Sequence, residues 1–221
     1  MFASTPLSLE FATQSGKGLI AFDNIVGGLC RGWLNDNPVD FCLEALNSVE
    51  KQYYVLSSLT SVVGWPSTPI TATKIIVHPM NLKSNHWGVI IAKLRYIEAV
   101  HKMGVHIYMY EPLIDEEYHD DMEIEWDGIT NKEGEVVKEE WVNAPQQPDF
   151  ESCGVLVVSQ AYSYVTENLQ WQYSNVFKTN VKVMILQMLW MVLCNSRKRR
   201  LARSTVDKTK EINEQLHNQL K

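Results

Sequence analysis

The sequence lacks the features that mark several classes of protein. Its four cysteines include no pair at Cys-x-x-Cys spacing. This spacing argues against a zinc site and a dense disulfide framework, and it favours a reducing compartment. The formal net charge is −6, so the chain lacks the basic excess typical of nucleic-acid binding. We therefore expect no metal, no nucleic-acid partner and an intracellular protein of the cytoplasm or the nucleus.

Long apolar runs and targeting signals are also missing. The most apolar stretch, Val181–Cys194, is interrupted by Lys182 and Gln187. It is also shorter than the roughly 20 residues that a membrane span needs. The first residues lack the basic start and apolar run of a signal peptide. We expect no membrane partner, and we interpret Val181–Cys194 as a buried or amphipathic helix.

Hydrophobic patterns predict a mixture of helices and strands. Apolar residues follow Asp36 at three- and four-residue steps, which predicts a helix: Val39, Cys42, Leu43, Leu46 and Val49. Strands are predicted over residues 18–22, 74–77, 87–94 and 105–110. Residues 1–17 are predicted to be irregular, and residues 196–221, with the basic cluster Arg197–Arg200, to form an appended helical tail. That cluster is consistent with a nuclear signal or with ordinary surface.

A proline-containing segment leads to Cys153. Residues 144–152 hold two prolines and cannot form regular structure, whereas residues 153–164 are an apolar run. Periodicity alone does not separate a buried strand from a buried helix, but the entry through the loop favours a helix that begins at Cys153. Such a position favours a thiolate, because unpaired N–H groups and the helix dipole stabilise it. Cys42 and Cys194 fit core positions, and Cys30 receives no role.

Two further features remain open on the residues alone. His86 leads directly into a predicted buried strand and could act as a base, yet a single histidine is more often structural. Residues 111–125 are rich in acids, and we interpret them as a solvated surface loop. The alternative is a surface that meets a basic partner.

Four short motifs occur in a characteristic order: Trp33-Leu34-Asn35-Asp36, Asn85-His86-Trp87, the acid Glu111 after a strand, and Gln146-Gln147-Pro148 before Cys153-Gly154-Val155. This order resembles the ubiquitin-like-protein protease family, which includes the SUMO-specific proteases and shares its fold with the adenovirus protease. The resemblance spans residues 18–165. It implies an α+β, papain-like (adenain-like) fold over residues 18–195, with a central mixed sheet flanked by helices.

The resemblance also implies roles for individual residues. Cys153 would be the nucleophile, His86 the base, Glu111 the acid that orients it, and Gln147 an oxyanion donor. In addition, Trp33 and Trp87 match the tryptophans that roof a tunnel for a Gly-Gly tail, and Asp36 lies near its rim. The implied partners are a ubiquitin-like modifier and its conjugates, and no cofactor is implied.

Two residues and one sequence interval depart from the family pattern. Glu111 stands where SUMO proteases usually have Asp, and Ser152 where Asp commonly precedes the cysteine. The interval from His86 to Glu111 is long, and we expect the extra residues in a turn around residues 95–104. Two other functions stay open: an acetyltransferase that uses the same triad, and a non-catalytic module that binds a modifier.

Overall fold

The computed structural model describes residues 10–12, 19–21, 33–46, 53–64, 73–99, 101–130, 135–167 and 177–197. Strands β1 (Glu10–Ala12) and β2 (Leu19–Ala21) form an antiparallel pair. β2 matches the strand predicted over residues 18–22, whereas β1 lies in the segment predicted to be irregular. A three-residue strand has too little pattern to be recognised before its pairing partner is known. Cys30, Val49, the side chain of Cys194 and the tail beyond Arg197 lie outside the described residues.

A five-stranded mixed sheet forms the centre of the protein. Strand β3 pairs parallel with β4, β4 to β6 are antiparallel neighbours, and β7 pairs parallel with β6. The predicted mixed sheet is confirmed, although β3 and β7 were not predicted. The strands in chain and sheet order are β3 (Tyr53–Val55), β4 (Ile75–Leu82), β5 (His86–Ile97), β6 (Lys102–Tyr110) and β7 (Glu135–Trp141).

Helices cover both faces of this sheet, giving the expected α+β architecture. Residues of α1, α4 and α5 share one hydrophobic core with the sheet, and α3 contributes to a core on the other face. The helices predicted after Asp36, from Cys153 and over residues 181–194 are confirmed. No helix of the described residues is long and apolar enough to cross a membrane. The helices are α1 (Asp36–Leu46), α2 (Thr60–Val63), α3 (Glu116–Thr130), α4 (Cys153–Val165) and α5 (Lys178–Arg197).

Strand β5 is the middle strand and is buried on both faces along its first seven residues. Val89 and Ile91 belong to the core shared with α4, while Ile90 and Ala92 belong to the core shared with α3. Because successive side chains of a strand point to opposite faces, one continuous apolar run supplies both cores. The same strand begins with His86, so the best-packed part of the sheet carries a candidate site residue.

The acid-rich segment after Glu111 is a helix, and its interpretation as a surface loop was wrong. Helix α3 has Glu116 and Glu117 in its first turn, where negative charge is favourable. Met122 and Trp126, four residues apart, are both buried against the sheet. This pair anchors the helix, and the acidic side chains lie on its outer surface.

The connection between β5 and β6 also differs from the prediction. Arg95 pairs with Gly104 and Ile97 with Lys102, so most of the residues expected in a long turn extend the hairpin instead. The chain reverses between Ile97 and Lys102. The long interval between His86 and Glu111 therefore lengthens two paired strands and leaves their site-forming ends side by side.

Candidate active site

His86 and Glu111 meet at one edge of the central sheet. His86 opens β5, and Glu111 follows the last residue of β6. Because the two strands are antiparallel, with Val89 opposite Tyr110, the start of one lies beside the end of the other. The His86 Nε2 atom hydrogen-bonds Glu111 Oε1, and both side chains are buried. The structure thus brings together the first two predicted residues.

The Glu111 carboxylate is held by more than the imidazole. Its Oε1 atom also accepts a 2.6 Å hydrogen bond from the N–H of Leu113, and Oε2 accepts a 2.9 Å bond from the N–H of Asp115. Burial alone would raise the pKa of Glu111, but the bonds from His86 and the two N–H groups outweigh it and lower the pKa. Glu111 is therefore ionised at neutral pH.

Cys153 is the first residue of α4, as predicted from the loop that precedes it. A 3.0 Å hydrogen bond joins the N–H of Leu156 to the carbonyl of Ser152. The N–H groups that precede Leu156 in the helix have no acceptor within it, because the first turn of any α-helix leaves such donors. The buried Cys153 side chain therefore lies where a developing negative charge is stabilised.

The loop before Cys153 is organised around Asp149. Its Oδ1 atom accepts hydrogen bonds from the N–H groups of Glu151 (3.0 Å) and Ser152 (2.9 Å) and from the Ser152 hydroxyl. These bonds lower the pKa of Asp149 against the opposing effect of its partial burial. Ser152, one of the departures from the family pattern, thus contributes to the turn that delivers Cys153.

Two contacts tie this loop to the sheet edge that carries Glu111. The Tyr110 hydroxyl donates a 2.6 Å hydrogen bond to the Pro145 carbonyl. The N–H of Gln147 donates a 3.0 Å bond to the Pro112 carbonyl. Tyr110 and Pro112 flank Glu111 in the chain, so these two hydrogen bonds hold the segment leading to Cys153 next to the His86–Glu111 pair.

The side-chain amide of Gln147 is free to act on a ligand. Its Oε1 and Nε2 atoms are both shielded from solvent and have no hydrogen-bond partner among the described residues. A buried amide without partners costs about 1–3 kcal/mol per group, and proteins rarely keep one without reason. The predicted oxyanion donor thus has an N–H₂ group that no described residue occupies.

Cys153 and Glu111 act together on His86. The ring hydrogen-bonds Glu111 through Nε2. It also interacts with the Cys153 side chain, for which Nδ1 is the nitrogen that remains. Burial is the largest single effect and lowers the pKa of the ring, but the bonds with Cys153 and Glu111 together raise it to about 9. His86 is consequently an imidazolium at neutral pH, able to donate a proton.

The three predicted substrate-binding residues lie in two different environments. Trp33 is 48% exposed, next to the start of α1, and is available to a ligand. Asp36 lies in the first turn of α1, where its carboxylate accepts a 3.0 Å hydrogen bond from Asn81 Nδ2. Trp87 is only 3% exposed and belongs to the hydrophobic core.

Trp87 is held in place against helix α4. Its indole N–H donates a 2.7 Å hydrogen bond to the Leu34 carbonyl. A Cβ atom added to Gly154 would lie 3.0 Å from Leu34 Cβ and 3.2 Å from Trp87 Cδ1. Gly154 therefore permits the close approach of α4 to this pair, and the approach sets the position of Cys153.

Two residues of α3 that were not predicted also contact the site. The ring of Tyr118 stacks on His86, and His119 Nε2 lies 3.9 Å from Glu111 Oε2. Both were missed because their segment was interpreted as a loop. The available signal was the spacing of Tyr118, Met122 and Trp126 at four-residue steps within the acidic run. Among the residues that the structure describes, no group of three or more potential ligands could hold a metal ion.

Comparison with known families identifies the family of the chain. Residues 59–195, more than half of the chain, match the C-terminal catalytic domain of the Ulp1 protease family. The chain belongs to the Ulp1 protease family. It is accordingly a cysteine-type peptidase by family. The matched range falls within the domain predicted over residues 18–195, while the limits of that domain and the separate tail stay predictions.

Solved structures share the fold of this Ulp1-family chain. The C-terminal Ulp1 protease domain in complex with Smt3, the yeast ortholog of SUMO, superposes with a TM-score of 0.66 at 17% identity, covering 87% of this chain and 90% of that one. Ulp1 with its catalytic cysteine oxidised to a sulfinic acid gives 0.62 at 17% identity, covering 88% and 91%. A de-sumoylating protease gives 0.54 at 17% identity, covering 97% and 96%. No curated protein sequence matches the chain.

Proposed function

We propose that this Ulp1-family peptidase cleaves after the C-terminal Gly-Gly of a SUMO-like or related ubiquitin-like modifier, in processing of a precursor or removal from a conjugate. The observation that carries the proposal is the buried hydrogen bond of His86 with Glu111, together with the interaction of the same ring with Cys153 and the partnerless amide of Gln147. The fold shared with a Ulp1 domain that holds Smt3 supports a modifier as the partner.

In the proposed reaction, each member of the triad has its own step. The Cys153 sulfur, its proton already held by His86, attacks the carbonyl carbon of the terminal glycine, forming an S–C bond and an oxyanion. As the carbonyl re-forms, the C–N bond breaks and His86 donates its proton to the leaving amine. Water then attacks the thioester, His86 takes a proton from it, and the modifier leaves as a carboxylate. Glu111 stays ionised and holds the ring orientation throughout.

Gln147 and the start of α4 supply the charge stabilisation. The oxyanion would accept hydrogen bonds from Gln147 Nε2 and from the backbone N–H of Cys153. Donors that are fixed before the substrate arrives would need no reorganisation during the reaction. One such donor is typically worth about 3 kcal/mol of barrier.

Selection of Gly-Gly follows from crowding around the nucleophile. Trp33 offers an exposed aromatic face, while Trp87 and Leu34 pack tightly against Gly154 in the first turn of α4. A tail without side chains passes such a surface with the least steric conflict. Asp36, half-buried in the same segment as Trp33, would meet a polar or basic group of the modifier.

Covalent trapping tests the proposal. A panel of modifiers, each carrying an electrophile after Gly-Gly, is incubated with wild type, Cys153→Ala and the matched control Cys42→Ala. Cys42 is buried in α1, and burial raises its pKa to about 12, so it cannot compete as a nucleophile. We expect an adduct with at least one modifier in wild type and Cys42→Ala, and none in Cys153→Ala.

The opposite result is equally informative. If folded wild-type protein forms no adduct with any modifier, the proposed reaction is wrong. Incubation with acetyl-coenzyme A would then test acetyl transfer through Cys153, and a pull-down with the same modifiers would test non-catalytic binding.

A further inference from the structure

An aromatic ring of α3 lies against the proposed base. The centroids of the Tyr118 and His86 rings are 4.6 Å apart, and the ring planes differ by 18°, which is a parallel stack. Tyr118 is half-buried, whereas His86 is buried. The proposed chemistry uses the two nitrogens of the imidazole and leaves this contact on its face unexplained.

Tyr118 is itself held by the turn that precedes His86. Its hydroxyl donates a 3.4 Å hydrogen bond to Asn85 Oδ1, and Lys83 Nζ lies 5.6 Å from the centroid of its ring. Lys83 also forms an ion pair with Glu117, the residue before Tyr118. The first part of α3 and the β4–β5 turn are therefore joined around His86, independently of the bonds that hold Glu111.

We propose that Tyr118 is a positioning residue for His86, whose stacked ring fixes the imidazole plane in which Nε2 meets Glu111 and Nδ1 meets Cys153. The inference rests on the proposed triad. Rotation of a histidine ring about its last side-chain bond is only weakly restrained, so a plane that serves two partners needs support from a third. An aromatic face is also a favourable neighbour for the imidazolium form.

Substitutions at Tyr118 separate the stack from the hydroxyl contact. Tyr118→Phe keeps the ring and loses the bond to Asn85, whereas Tyr118→Leu and Tyr118→Met lose the ring. Ile124→Ala, at an exposed position of the same helix, controls for general weakening of α3. The readouts are the rate of Cys153 alkylation by iodoacetamide against pH, mapped by mass spectrometry, and the NMR titration of His86.

We expect the leucine and methionine variants to lose about tenfold in alkylation rate at neutral pH and to titrate His86 at lower pH. Tyr118→Phe and Ile124→Ala should stay within about twofold of wild type. Circular dichroism is used to check that each variant is folded. If Tyr118→Leu does not fold, Tyr118→Met replaces it in the test. A folded non-aromatic variant with wild-type rate and titration would overturn the inference, as would a phenylalanine variant that is equally impaired.

Neither readout requires a modifier. If the trapping panel fails while Tyr118→Leu still changes alkylation and titration, the modifier proposal falls and the positioning role stands. If the panel succeeds and Tyr118→Leu behaves as wild type in both readouts, only the positioning role falls.

Discussion

Glu111→Gln removes the charge from a carboxylate that serves three donors: His86 Nε2, the N–H of Leu113 and the N–H of Asp115. Glutamine has nearly the same shape but only one oxygen. If that oxygen keeps the contacts with His86 and Leu113, its N–H₂ group faces the N–H of Asp115. One partly buried donor is then left unpaired, so we expect the free energy of unfolding to fall by about 1–3 kcal/mol.

The larger effect is on His86. Its pKa is raised from an ordinary 6.5 to about 9, which corresponds to about 3 kcal/mol in favour of the imidazolium. Burial works against this form, and the bonds with Cys153 and Glu111 create it. Because the pKa is raised on folding, the resulting stability is fully present below pH 6.5 and is lost as the pH rises through about 9. In Glu111→Gln both the pKa and this window move to lower pH.

Two measurements check the prediction. The substrate is a fluorogenic derivative of the modifier that the trapping panel identifies. At the maximum of the pH profile, kcat/KM should fall about 100-fold or more, and the alkaline limb should move to lower pH. NMR titration of His86 should show the same displacement. Glu116→Gln, which removes one acid from the exposed start of α3, controls for net charge. An alkaline limb and a His86 titration identical to wild type would refute the assigned coupling.

Further predictions concern the surroundings of Cys153. Trp33→Ala should leave stability within about 0.5 kcal/mol of wild type and still lower kcat/KM on Gly-Gly substrates; unchanged turnover would remove Trp33 from the substrate path. Trp87→Ala should cost about 3–5 kcal/mol in urea unfolding, because the buried ring and its bond to Leu34 are lost; a near-neutral result would contradict the packing described. Gly154→Ala should cost about 1–3 kcal/mol and reduce turnover, since its Cβ meets Leu34 and Trp87. Wild-type turnover and unfolding in that variant would show that α4 shifts freely.

The candidate site could be predicted because its residues stand at boundaries that leave marks in a sequence. His86 precedes an unbroken apolar run, Glu111 ends another, and two prolines precede Cys153. Each of these signals is local and weak by itself. The order of the four motifs along the chain indicated the family and, through it, the roles of the residues. The meeting of His86 with Glu111 depends on the hairpin register, and the approach of the Cys153 loop depends on the contacts of Tyr110 and Gln147; no local pattern contains either.

The elements that were missed depend on tertiary contacts. Helix α3 is rich in acids, and what holds it is the burial of Met122 and Trp126 against a sheet remote in sequence. Strand β7 pairs with β6 in parallel, and its residues 138–140 are exposed, so it lacks the apolar alternation of an inner strand. Trp87 begins a strand that was predicted to be buried, and the resemblance also made it a tunnel residue; the sequence does not separate these two positions. Its role toward substrate stays a prediction.

The hairpin that carries His86 and Glu111 also has a consequence for the order of assembly. The acid–base pair lies within one local unit, whereas Cys153 follows α3, β7 and the proline-containing loop. Local contacts generally form before distant ones. We therefore expect β5–β6 amides to gain protection before those of α4 in pulse-labelled hydrogen exchange, and simultaneous protection would contradict this. A chain still emerging from the ribosome would then contain the paired His86 and Glu111 before Cys153 is in place. The proposed peptidase activity would arise only once α4 has packed against the sheet.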